Sequence, residues 1–316
     1  MADKRLDDCL STHGGHLLVE ECDTLELLRE FGSPLFLLSE DQIRRNVRRF
    51  QAGFQAGWPD GPVKILPAAK RKLKVAVPGT GSPDDLREMM QWGGVSRSVL
   101  LPLAKGCQDV SGLNDWIQAA ARENHELTAF GAVHPFMEGL EEELDRMEAW
   151  GVRGVKMMPL LQQVYPDDPQ CFRLCQELVE RDMILIAHAG RDPLDRPEVY
   201  GTPQRFAALA ASFPDLKLVL AHLGGLRMWD DVRRYLLPAG KNVFFDTAYV
   251  SFYMEREEMK ELIADMGPER VIFGSDYPWE RPGRAVKIIR DLGLSKAEED
   301  AIFFSNAAEL LGLSLQ

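Results

Sequence analysis

Positive charge is in short supply: 37 lysines and arginines stand against 49 acidic residues, a formal net charge of −12. That deficit excludes nucleic acid and anionic membrane as main partners, because both are held through excess positive charge. Cysteine is scarce and odd in number (Cys9, Cys22, Cys107, Cys171, Cys175), and no Cys-x-x-Cys pair occurs. The pattern reads as reduced thiols that serve packing in a cytoplasmic protein, not as a disulfide scaffold. No apolar run approaches the ~20 residues needed to span a bilayer. The N-terminus, Met1-Ala-Asp-Lys-Arg-Leu-Asp-Asp, lacks the apolar centre of a signal peptide. No Gly-x-Gly-x-x-Gly follows the first strand-like run, which disfavours a dinucleotide-binding sheet. Repeats, low-complexity tracts and a clear interdomain linker are also missing. The partner these absences leave is a small molecule, and a homodimer is the ordinary expectation for assembly.

Present instead is a regular alternation. Eight short runs rich in Val, Ile, Leu and Phe recur at Val63–Ala69, Arg97–Leu103, Leu127–His134, Gly154–Met158, Met183–Ala189, Lys217–Leu223, Val243–Ala248 and Val271–Ser275. They lack clean polar alternation, as parallel strands covered on both faces do. Helical patterns lie between them at Asp84–Trp92, Gly139–Trp150, Cys171–Arg181, Gln204–Phe213, Met228–Leu236, Glu255–Met266 and Arg284–Leu292. A last helix opens at the capping box Ser295-Lys-Ala-Glu298 and runs to about Leu311. Eight β-then-α units predict an α/β protein built as a (β/α)8 TIM barrel, with a doubly wound open sheet as the alternative. Residues 1–61 form an N-terminal extension, with an extended segment at Pro34–Leu38 and a helix from the capping box Ser39-Glu-Asp-Gln42 to about Phe54. Residues 62–316 form the barrel.

A barrel brings the C-terminal ends of its strands to one mouth. The residues there are Lys70, His134, Lys156, His188, His222, Asp246 and Asp276. His188 in Ile184-Leu-Ile-Ala-His-Ala-Gly190 and His222 in Leu218-Val-Leu-Ala-His-Leu-Gly-Gly225 follow apolar runs and precede small-residue turns. Asp276 follows Val271-Ile-Phe-Gly-Ser275. Imidazole and carboxylate together suit a divalent ion, zinc above others, with His188, His222 and Asp276 as ligands. Such an ion activates water. Asp276 then shuttles a proton, and His222 serves as general acid or base. Arg191 is placed to clamp a carboxylate, and Lys156 and Trp279 complete the substrate-binding set. Trp279, Tyr277, Phe252 and Tyr253 suit a planar ligand, or else packing under the C-terminal helix. His125, at a helix end, reads as capping or solvated. His13 and His16, before the barrel, read as surface residues.

From about Val75 to Leu313 the chain resembles the amidohydrolase superfamily. The similarity is to the amidohydrolase-2 branch of small metal-dependent hydrolases and nonoxidative decarboxylases. The segments that carry it are Gly131-Ala-Val-His-Pro135, Gly154-Val-Lys-Met-Met-Pro159, Ile186-Ala-His-Ala-Gly190, Ala221-His-Leu-Gly-Gly225, Gly274-Ser-Asp-Tyr-Pro-Trp279 and Ser305-Asn-Ala-Ala-Glu-Leu-Leu-Gly312. The resemblance implies that His188 is a metal ligand, His222 a proton-transfer or second-metal residue, and Asp276 both ligand and general base. It implies small carboxylate or lactone substrates, hydrolysed or decarboxylated. Two departures stand out. The family's first strand carries His-x-His, whereas Val63-Lys-Ile-Leu-Pro-Ala-Ala-Lys70 has no histidine. The fourth-strand motif ordinarily ends Lys-Leu-His-Pro, whereas Met158 occupies that histidine position.

Over the first 72 residues the resemblance is different. Leu25-Glu-Leu-Leu-Arg-Glu-Phe-Gly-Ser-Pro-Leu-Phe-Leu-Leu-Ser-Glu-Asp-Gln-Ile-Arg-Arg-Asn46 is similar to the start of the PLP-dependent diaminopimelate and ornithine decarboxylases. That likeness puts Lys70, in Pro67-Ala-Ala-Lys-Arg-Lys72, at the Schiff-base lysine. The Asn of that family's motif, its Gly-rich phosphate loop and its C-terminal β-domain are missing. A solvated strand-end lysine is therefore preferred to a PLP site. The chain reads as a chimera of two barrel families. Three functions follow: a metal-dependent hydrolase or decarboxylase, a catalytically impaired barrel serving as a binding or structural module, and, last, a PLP enzyme using Lys70.

Overall fold

The computed structural model describes residues 4–5, 10–13, 16–19, 22–24, 26, 29, 78–193 and 196–313. The chain divides into two compact units, Met1–Pro67 and Ala68–Gln316. In the first, four short antiparallel strands form a meander: β1 (Lys4–Arg5), β2 (Leu10–His13), β3 (His16–Val19) and β4 (Cys22–Asp23). His13 pairs with His16 across the β2–β3 turn. His16 is exposed and its Nδ1 lies 2.5 Å from Asp23 Oδ2. The expected segment at Pro34–Leu38, the helix from Ser39 to Phe54, the first barrel strand and Lys70 lie outside the described residues.

The second unit follows the predicted alternation. It begins with α1 (Pro83–Gly93), capped by the Ser82 hydroxyl accepting from Asp85 N and closed by left-handed Gly94. Then come β5 (Ser98–Leu100), α2 (Val110–Glu123), β6 (Leu127–Ala129), β7 (Gly131–Ala132), α3 (Leu140–Ala149), β8 (Gly154–Met157), α4 (Pro159–Gln162) and α5 (Pro169–Glu180). After these come β9 (Ile184–Ala187), α6 (Pro203–Ser212), β10 (Lys217–Leu220), α7 (Trp229–Asp231), β11 (Val243–Asp246), α8 (Arg256–Met266), β12 (Val271–Ile272), α9 (Pro282–Arg290), α10 (Lys296–Asp300) and α11 (Asn306–Leu310). Every strand pair among the described residues of this unit is parallel. β5 pairs β6, and β7 through β12 pair in chain order. β6 and β7 fall within one predicted strand; between them Phe130 donates its N–H to Leu100 O as the last rung of the β5–β6 ladder, and Gly131 then pairs with β8. Neighbours in strict chain order are what successive βα units of a barrel produce.

The interior face is set by register. Ile184 and Ile186 of β9, Val219 of β10, Phe244 of β11 and Ile272 of β12 pack together with Phe130 and Leu310. Leu310, from α11, joins this cluster from outside the sheet. Cys171 and Cys175 share the buried face of α5, and burial pushes the Cys171 thiol up to about 12. Both are free thiols, in keeping with the packing role the sequence suggests.

Candidate active site

Above the apolar floor the same interior face turns polar. Lys156 is in register with Ile186, Ile186 with Val219, and Val219 with Phe244. Side chains alternate along a strand, so His188 lies one layer above Ile186 and Asp246 one layer above Phe244. The strands therefore deliver Lys156, His188 and Asp246 to one mouth.

His222 arrives differently. β10 ends at Leu220, and the chain turns through two non-glycine residues in the left-handed region, His222 (φ 62°) and Leu223 (φ 49°). Such residues persist only where their surroundings fix them. Here Asp246 Oδ1 accepts from His222 N at 2.9 Å, Asp246 O accepts from Leu223 N at 2.7 Å, and His222 O accepts from Trp229 Nε1 at 3.1 Å. Asp246 Oδ1 also accepts from Ala248 N at 3.0 Å.

The two imidazoles form a chain whose tautomers follow from their partners. His222 Nδ1 lies 2.7 Å from Ala248 O, which can only accept. His222 therefore donates from Nδ1, and its Nε2 carries a lone pair when the ring is neutral. That nitrogen lies 3.0 Å from His188 Nδ1, which must then be the donor. The last nitrogen, His188 Nε2, is buried and makes no hydrogen bond. Burial, then the neighbouring His222 and Lys156, holds the His188 pKa well below its ordinary value. His188 is thus a neutral imidazole, oriented by a carbonyl-anchored partner, with one unused lone pair. This is the arrangement of a metal-ligating histidine with its supporting residue. Both His222 ring nitrogens are engaged here.

Asp276 stands in the turn after β12, with its backbone also left-handed (φ 60°) and its carbonyl accepting from Trp279 N at 2.8 Å. Water reaches the carboxyl, yet surrounding protein still pushes its pKa up to about 6; His222 and Lys156 oppose that rise, and Asp246 and Asp192 add to it. Lys156 is buried, and burial lowers its pKa against the pull of Asp246 and Asp276. These mutual influences bring His188, His222, Lys156, Asp246, Asp276 and Asp192 within one electrostatic neighbourhood.

Other expected residues fall elsewhere. His134 is buried at the end of its strand, but Nδ1 accepts from Phe136 N at 3.3 Å and burial lowers its pKa, so it is a neutral structural imidazole. Arg191 is exposed beside the mouth; its backbone N–H donates to Leu226 O at 2.9 Å, and it lines a cleft with Gly190, Arg196 and Tyr200. Trp279 is half-buried. Tyr277 donates its hydroxyl to Asp85, at the start of α1. Phe252 and Tyr253 pack around Tyr249, with Arg284 over Phe252 and Arg227 over Tyr253. They sit among arginines, not under the C-terminal helix. Sequence reasoning missed Asp192 and Glu280 near this site. Glu280 is 2 % exposed, bonded to Ser251 and Arg284, and its influence also reaches Tyr249. Asp246 was visible at a strand end; its part in holding the His222 turn was not.

Among the described residues, no three His, Cys, Asp or Glu side chains close on one metal position. The sequence accounts for this, since no histidine occurs between His16 and His125. The donors present, the orphaned Nε2 of His188 and the carboxylate of Asp276, fit a nitrogen- and oxygen-binding divalent ion through two ligands.

The model of the family described as Amidohydrolase matches residues 42–313. Among solved structures, a TIM-barrel protein of Bordetella bronchiseptica superposes with a TM-score of 0.61 at 17% identity, over 77% of this chain and 88% of that one. The 5-carboxyvanillate decarboxylase of Sphingomonas paucimobilis gives a TM-score of 0.59 at 19% identity, over 81% and 88%. The dihydroxybenzoic acid decarboxylase of a Polaromonas species, with bound manganese and 2-nitroresorcinol, gives 0.54 at 16% identity, over 72% and 84%. These likenesses establish the (β/α)8 barrel fold. The diaminopimelate decarboxylase of Methanothermobacter thermautotrophicus is 35% identical over 63 residues, which is 20% of this chain and only 14% of that enzyme.

Proposed function

The chain belongs to the amidohydrolase family, and from that premise we propose that it is a metal-dependent enzyme that decarboxylates or hydrolyses a small planar carboxylate or lactone. The observation that carries the reading is the buried, unpartnered Nε2 of His188, whose tautomer is locked through His222 to the Ala248 carbonyl. His188 and Asp276 would hold the ion, zinc in our reading of the donors, although a similar structure carries manganese. When bound, the ion lowers the pKa of water and polarises a carboxylate or carbonyl.

The chain's own groups supply the rest. Asp276, with a pKa near 6, lies close enough to neutrality to take and return a proton. His222 holds His188 in its donor tautomer and stands next in line for a proton. Lys156 and Arg191 attract an anionic substrate from below and from the rim, and Trp279 offers a flat face beside Asp276. Buried free thiols at Cys171 and Cys175 support a reducing, cytoplasmic setting. No helix among the described residues is long and apolar enough to cross a membrane.

A second reading, a barrel that binds but does not turn over, is favoured by the absence of a three-donor metal cluster among the described residues. Assaying dihydroxybenzoates and pyrone carboxylates with added zinc or manganese separates the two. Turnover that disappears in Asp276→Asn supports the enzyme, and inertness with every ion supports the binding module.

A further inference from the structure

The mouth contains a second polar atom without a partner. Lys156 is only 9% exposed, and among the described residues its ammonium makes no hydrogen bond or ion pair. Its electrostatic neighbours are Asp246, Asp276 and His188. Asp246 already spends Oδ1 on two backbone N–H groups, His222 N and Ala248 N. Asp276 stands at the end of the left-handed turn after β12 and makes no ion pair with Lys156. His188, on the adjacent strand, presents a neutral ring. Asp246 and Asp276 favour its charge from a distance, but a buried ammonium without a direct hydrogen-bond partner remains unfavourable. The register of β8 with β9 sets Lys156 one layer below His188, on the face that leads up to the mouth.

We propose that Lys156 is a metal-independent seat for the carboxylate of the ligand, taking it at the barrel floor beside His188. This rests on the small-carboxylate reading above and deepens it by assigning the charge that holds the carboxylate. The sequence departure gives the proposal its point. A first strand without His-x-His leaves the mouth short of metal ligands, while β8 carries a cation of its own to the same floor.

Full-length protein treated with a chelator, and shown to be metal-free, is titrated calorimetrically with benzoate and with its neutral isostere benzamide. The expected result is benzoate binding at least about tenfold tighter than benzamide, the size of one charge-assisted hydrogen bond. Lys156→Met removes that preference, while Lys156→Arg retains part of it. If Lys156→Met does not fold, Lys156→Gln, which keeps a polar side chain without the charge, takes its place. Three outcomes overturn the proposal: benzoate that binds only after a divalent ion is restored, equal affinity for benzoate and benzamide, or a preference that survives loss of the Lys156 charge. Failure of the metal reading is a separate result. A protein that holds no ion still prefers benzoate if Lys156 is the seat.

Discussion

At the scale of single residues, the site depends on groups kept out of their ordinary state. Asp276 has a folded pKa near 6, above its ordinary 3.8. The folded protein therefore holds this proton more tightly than the unfolded chain. The associated stability is complete below about pH 4 and is lost as pH rises to about 6. Asp276→Asn removes that loss. The variant should match the wild type near pH 4 and exceed it at pH 7 by about 1 kcal/mol, a figure reduced because water reaches the carboxyl. Urea denaturation at both pH values checks this, and a variant weaker at pH 7 would contradict it. His188 acts in the opposite sense. Its lowered pKa gives stability that is present above about pH 6.5 and lost as pH falls. Gly190, at φ 86°, tests the backbone beside His188. A Cβ there would collide with Leu226 N, so Gly190→Ala should cost more than about 2 kcal/mol in thermal or chemical denaturation. A loss below about 0.5 kcal/mol would show that this turn is not constrained as described.

At the scale of elements, strands were more legible than their ends. β8, β9 and β10 are buried along nearly their whole length, so they stand out as unbroken apolar runs. β12 is shorter than its sequence suggests. After Ile272 the backbone leaves the ladder: Phe273 N donates to Ile302 O, and Gly274 N to the Thr247 hydroxyl. Helix α2 went unread because Asn114 interrupts its apolar stripe and Asp109 makes no side-chain cap. Asn114 is buried for a reason invisible in sequence: its side-chain amide pairs with both backbone groups of Ala132 on β7. Two predicted continuous helices contain wider turns, at Val232–Leu236 and Ala301–Ser305, which hydrophobic spacing does not distinguish. Asn306, in the Ser305-Asn306-Ala motif, has a local task. Its buried amide donates to Pro268 O and Val271 O, both at 2.7 Å, and so fixes the start of β12. Asn306→Ala should therefore cost about 2 kcal/mol, and a fall in thermal midpoint is the measurement. An unchanged midpoint would mean those carbonyls find other donors.

At the scale of the whole molecule, the site is legible because a parallel barrel turns strand order into spatial convergence. His188, His222, Lys156, Asp246 and Asp276 were all readable as strand-end residues, and the structure brings them into one electrostatic neighbourhood. The direction in which each nitrogen points was not readable. Only the structure reveals that His222 is turned onto His188 and that the spare lone pair belongs to His188. His134, equally prominent in the sequence, is held instead by Phe136 N in its own loop and by the backbone of Gln162. The account therefore stands on the ion that this lone pair and Asp276 can hold. The most direct test is the metal content of the purified full-length protein, measured by elemental analysis beside His188→Ala. About one equivalent of divalent ion is expected in the wild type, and a loss of most of it in the variant. Less than about 0.2 equivalents in the wild type, unchanged by His188→Ala, would contradict it.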